Sequence, residues 1–120
     1  MMRARGSGTA MAYSDELAER IRELLAAEPE LREQKMFGGI AFMLRGNMCC
    51  GVHGNDLIVR VGPEAYGDAL AARGAREFDL TGRPMSGWVM VEARGVAADA
   101  ALASWVERGR AFALTLPAKR

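Results

Sequence analysis

The chain has 120 residues, half of them hydrophobic, with sixteen Lys and Arg against fifteen Asp and Glu and a net charge of +1. That length and apolar content suit one domain with a single packed core. The charge balance leaves no electrostatic footprint for nucleic acid or an anionic membrane, and no apolar run approaches the ~18 residues of a membrane span.

The N-terminus lacks the long apolar core of a signal peptide. Two adjacent cysteines, Cys49 and Cys50, make no disulfide framework, so a cytoplasmic protein is expected. Residues 1–12 are Arg, Gly, Ser and small side chains without apolar period. They are expected to be a disordered tail, with Met11 a candidate native start. Residues 13–117 are expected to form one domain.

Ser14 can cap a first helix over Asp15–Ala27, in which Leu17, Ile21, Leu24 and Leu25 recur at helical spacing and which Pro29 ends. Leu31–Phe37 reads as a strand, and Gly38-Gly39 allows a reversal after it. The dipeptide Gly-Asn then occurs twice between apolar runs, as Gly46-Asn47 and Gly54-Asn55. Glycine in the first central position suits a type II′ hairpin. This predicts strands over Ile40–Arg45, Met48–His53 and Asp56–Val61, with Leu44 opposite Cys49 and His53 opposite Asp56.

Alternation along these strands predicts two faces. Ala41, Met43, Met48, Cys50, Val52, Leu57, Val59 and Val61 should lie under helices. Ile40, Phe42, Leu44, Cys49, Gly51, His53, Asp56, Ile58 and Arg60 should form a mixed second face that holds any site.

Gly62-Pro63 begins a second helix that stops at Gly74. Ala75–Leu80 reads as a short strand, Thr81–Gly87 as a loop and Trp88–Val91 as the last strand. Asp99 is expected to cap a long helix whose stripe is Leu102, Trp105, Val106, Gly109, Phe112, Ala113 and Leu116, ending at Pro117. The predicted fold class is α+β: two layers, an antiparallel meander packed on one face by helices, in the order α-β(4)-α-β(2)-α.

Metal and cofactor chemistry find little support in this pattern. Neighbouring strand residues point to opposite faces, so the two sulfurs should diverge. Cys49 and His53 would stand roughly 13 Å apart at about 3.3 Å per residue, too far for shared zinc ligation. No catalytic residue set, metal or cofactor is expected. Cys49 beside Arg60 could be an activated thiol, and His53 beside Asp56 a base with its orienting carboxylate, but a half-buried cysteine and a solvated turn pair are the plainer readings. Arg83, in a Gly/Pro loop, suits an anion or a protein partner. Met85 and Trp88 flank that loop as an apolar anchor of the kind interfaces use.

Lys35-Met36-Phe37-Gly38-Gly39, Gly46-Asn47-Met48, Gly82-Arg83-Pro84-Met85 and Gly87-Trp88 together resemble the N-terminal domain of the TfoX/Sxy family. The likeness runs from about Ala12 to Pro117. It implies a two-layer α+β fold with an antiparallel sheet. Full-length members regulate natural competence in bacteria with the cAMP receptor protein at promoters and carry a second, helical C-terminal domain. This chain resembles the N-terminal domain standing alone. The resemblance implies no catalytic residues. The mixed sheet face, the Met85/Trp88 loop and the missing catalytic set favour a non-enzymatic regulatory or protein-interaction module, with homodimerisation through the sheet face or an edge strand expected because exposed apolar strands seek cover, and direct nucleic-acid binding not expected on charge. The alternative is a small-molecule binder or minor enzyme using Cys49, His53, Asp56 and Arg60.

Overall fold

The structure is a computed structural model that describes residues 13–36, 38–79, 82 and 85–119. The expected tail over residues 1–12, and Phe37, Leu80, Thr81, Arg83 and Pro84 within the motifs, lie outside the described residues.

The elements follow in the order α1 (Asp15–Leu24), β1 (Leu31–Met36), β2 (Gly39–Leu44), β3 (Asn47–His53), β4 (Asp56–Arg60), α2 (Tyr66–Leu70), β5 (Ala75–Glu77), β6 (Trp88–Val91) and α3 (Asp99–Leu114), with a short 3-10 turn at Ala93–Gly95. The six strands form one antiparallel sheet in the order β1-β2-β3-β4-β6-β5. This is the expected α+β architecture.

Local chemistry explains most element ends. The Ser14 hydroxyl accepts from the Leu17 N–H at 3.1 Å, and Asp15 and Glu16 sit at the positive end of α1. α1 stops at Leu24, short of the expected Ala27, because Leu25 closes it in a turn. α2 begins only at Tyr66, after a turn over residues 63–65, and β5 ends at Glu77 instead of Leu80. Asp99 does not cap α3; Ala98 holds that position. Asp99 instead accepts from Arg20 at 3.0 Å, and Arg20 also donates to the Val96 and Ala97 carbonyls, tying α1 to the start of α3.

The β2–β3 hairpin departs from expectation. Its turn is Arg45-Gly46, not Gly46-Asn47. Both turn residues have positive φ, 53° and 84°, as a type I′ turn requires. Leu44 therefore pairs with Asn47 and Met43 with Met48. The register then shifts, and Phe42 pairs with Cys50, leaving Cys49 as the extra residue of a β-bulge. The cause lies far along the chain. The Asn47 side chain donates to the Pro117 carbonyl at 2.9 Å, Arg45 Nη2 donates to the Leu114 carbonyl at 2.8 Å, and the Lys119 N–H donates to the Arg45 carbonyl at 2.7 Å. The segment after α3 thus draws Asn47 into the strand and holds Arg45 in the turn. The second hairpin is as expected, with His53 opposite Asp56 around Gly54-Asn55.

The shifted turn and the bulge exchange two sets of side chains. Ile40, Phe42, Leu44 and Cys49, expected on the mixed face, lie in the main core with Cys50, Val52, Leu57 and Val59, beneath Leu17, Ile21, Leu102, Trp105 and Val106 of the helices. Ala41, Met43 and Met48, expected under the helices, lie on the other face.

That other face is not a hydrated mixed surface. Ala41, Met48, Ile58, Phe78 and Met90 form a second buried cluster there, with Met36, Met43, Met85 and Trp88 packed against it. Every methionine among the described residues belongs to this cluster. Phe78, just past β5, is turned in and is 1% exposed. Among the described residues, no helix is long and apolar enough to cross a membrane.

Candidate functional site

The candidate residues fall in separate places. Cys49 and Cys50 are both free and fully buried on the helix face. Because the bulge turns Cys49 to the same side as its neighbour, the two sulfurs lie 3.6 Å apart in hydrogen-bonding contact. The expectation that they diverge fails for that reason. The shared thiol hydrogen bond, then burial, holds the Cys50 thiol well above the usual thiol range. A protonated, buried thiol is a poor nucleophile.

The β3–β4 ladder ends at Cys50 opposite Val59, and no ladder pair joins Arg60 to Cys49. Arg60 stands opposite Trp88 at the end of β4. Its guanidinium lies 5.0 Å from the Trp88 ring centroid and 5.5 Å from that of Phe112 on α3. This is a cation–π clasp between the two faces of the domain. Trp88 also lies 6.0 Å from Phe78, ring to ring. Met85 and Trp88 are half-buried in the second cluster, so they are packing residues rather than a free anchor.

His53 and Asp56 flank their turn on the second face, as expected from the register. The described partner of Asp56 is Arg76, which donates to it at 3.2 Å. Cys49 and His53 are on opposite faces. Among the described residues, no three of His, Cys, Asp and Glu are grouped so as to hold a metal ion. Arg83 lies outside the described residues.

A cleft that no local pattern marks lies at the other end of the sheet. It has a volume of about 570 Å³ and lies between residues 29–32, the Arg45-Gly46 turn and Lys119. Arg32, Arg45, Lys119 and Glu30 are its charged lining residues. A neighbouring hollow continues it along Glu28, Leu44 and Leu114. The three cations come from segments far apart in sequence, so only the fold brings them together.

The glycine motifs serve these turns and close approaches. Gly38 and Gly39 carry the chain from β1 to β2, and the Gly87 carbonyl accepts from the Val61 and Gly62 N–H groups at 2.8 and 3.1 Å. The family model described as the TfoX N-terminal domain matches residues 23–113. The chain belongs to the TfoX N-terminal domain family. No curated protein and no solved structure matches it. The TfoX-domain match runs from the end of α1 into α3 and so covers the whole sheet, the second apolar cluster and the Cys49 bulge.

Proposed function

We propose that this TfoX N-terminal domain is a non-enzymatic regulatory module that works in the bacterial cytoplasm by binding another protein. The observation that carries this reading is the dispersal of the reactive side chains. Cys49 is buried beneath α3, His53 and Asp56 sit at one hairpin turn, and Arg60 is at the far end of β4. Acid–base or nucleophilic chemistry needs its groups within hydrogen-bond reach of one reacting centre. Family membership supports a role in transcriptional regulation, as the resemblance to competence regulators implies.

Affinity capture with wild type beside Arg83→Ala tests this. The reading expects wild type to retain a specific protein that the variant loses while its melting temperature stays close to wild type. Saturable turnover of a small molecule by the wild type would contradict it.

A small-molecule reading is favoured by one observation, the cleft lined by Arg32, Arg45 and Lys119. Those cations suit a compact anion. Melting curves in phosphate and citrate test it: a saturable rise that Arg32→Ala abolishes supports the reading, and unchanged curves dismiss it.

A further inference from the structure

β1 forms one edge of the sheet, so one side of its backbone has no strand beside it among the described residues. Its register determines which groups are offered there. Met36 and Gly39 close the turn to β2, and the first and last residues of such a turn are hydrogen-bonded. Bonded and non-bonded pairs alternate along an antiparallel ladder. Counting back from Met36, Gln34 and Arg32 turn their N–H and C=O groups toward β2. Glu33 and Lys35 turn theirs outward. The four side chains from Arg32 to Lys35 are all exposed.

Consider a second copy offering the same edge about a two-fold axis perpendicular to the sheet. Residues placed opposite each other must then have side chains on the same face. Three registers set Glu33 or Lys35 against the same two residues of the partner. One centred on Glu33 sets two carboxylates against each other, and one centred on Lys35 sets two ammonium groups together. Like charges directly opposite are destabilising. The register centred on Gln34 places Glu33 against the partner's Lys35 and Lys35 against the partner's Glu33, with Gln34 opposite the partner's Gln34. Charges on an edge strand ordinarily deter pairing. The order Glu-Gln-Lys deters the two flanking registers and favours the central one.

Both charged side chains already have neighbours. Glu33 accepts from Arg22 at 2.6 and 2.9 Å, and the Lys35 ammonium lies 5.9 Å from the Tyr13 ring centroid. A carboxylate has about four acceptor sites and an ammonium three donors, so each can take one more contact.

We infer that two copies of this chain pair β1 to β1, antiparallel and centred on Gln34, into one continuous sheet. This names a partner for the interaction reading above, and it can fail while that reading stands. A single pair of edge strands covers less than the roughly 1,200 Å² of a standard interface, so the dimer is weak and concentration-dependent.

The full chain tests this directly. Gln34 and the partner's Gln34 form a non-bonded pair with Cα atoms about 4.5 Å apart, within disulfide reach. Mild oxidation of Gln34→Cys should give a covalent dimer, and Arg32→Cys should not. Cys49 and Cys50 are buried and should stay silent. In sedimentation equilibrium, Lys35→Glu and Glu33→Lys should each weaken self-association by at least about tenfold. An equimolar mixture of the two should associate again, because every facing pair regains opposite signs. Circular dichroism checks that each variant is folded. A monomeric Gln34→Cys after oxidation, or equal cross-linking of Arg32→Cys, overturns the inference even if the Glu33 variant fails to fold. A monomeric wild type that still captures another protein would sink the dimer alone.

Discussion

The sulfurs of Cys49 and Cys50 lie 3.6 Å apart on the helix-covered side of the sheet, although the two residues are neighbours in a strand. The bulge makes this possible. It also predicts inert thiols: native protein should react with a thiol reagent far more slowly than protein in denaturant.

The same pair predicts how stability changes at alkaline pH. The Cys50 pKa is raised in the folded chain by its hydrogen bond to Cys49 and by burial. At high pH the unfolded thiol ionises while the folded one keeps its proton, so the unfolded state binds fewer protons. Stability should be complete below about pH 8.5, the ordinary thiol range, and should fall as pH rises above it. Urea midpoints measured across that range check this. Cys50→Ala should reduce the slope.

Gly109 is where α3 comes down on the bulge. A Cβ there would lie 2.4 Å from the Cys49 carbonyl oxygen. Alanine favours a helix over glycine by about 1 kcal/mol, yet overpacking costs about 1–3 kcal/mol. Gly109→Ala should therefore be net destabilising by urea unfolding. A gain in stability would mean that α3 stands off the sheet.

Phe78 tests the second cluster. At 1% exposure it should behave as a core residue, and Phe78→Ala should cost about 3–5 kcal/mol. A residue on a hydrated face would cost within about 0.5 kcal/mol.

Arg60 tests the clasp. Each exposed cation–π contact contributes about 0.5–1 kcal/mol, and Arg60 makes two, to Trp88 and Phe112. Arg60→Ala should lower stability by about 1–2 kcal/mol and change the Trp88 fluorescence. Unaltered emission and stability would show the rings to be unclasped.

What could be read from sequence was what local chemistry decides. The Ser14 cap, the Gly54-Asn55 turn with His53 opposite Asp56, and the Trp88–Val91 strand are all carried by neighbouring residues. The Arg45-Gly46 turn is not. It depends on Leu114, Pro117 and Lys119, on the other side of the fold, and no local pattern marks the bulge at Cys49. The extra residue at the bulge puts Phe42 and Leu44 on the helix-covered face and Ala41 and Met43 on the other. The second apolar cluster was missed for the same reason, and because Phe78 turns in only after its strand has ended.

That turn and the bulge beyond it together set the register of β2 on β3, and Hα–Hα NOEs measure it most directly. Non-bonded antiparallel pairs bring their Cα atoms to about 4.5 Å. With Leu44 and Asn47 closing the turn, Met43 and Met48 form such a pair and should show a strong cross-peak. A strong cross-peak between Leu44 and Cys49 instead would return the turn to Gly46-Asn47, move Cys49 away from Cys50 and contradict the account.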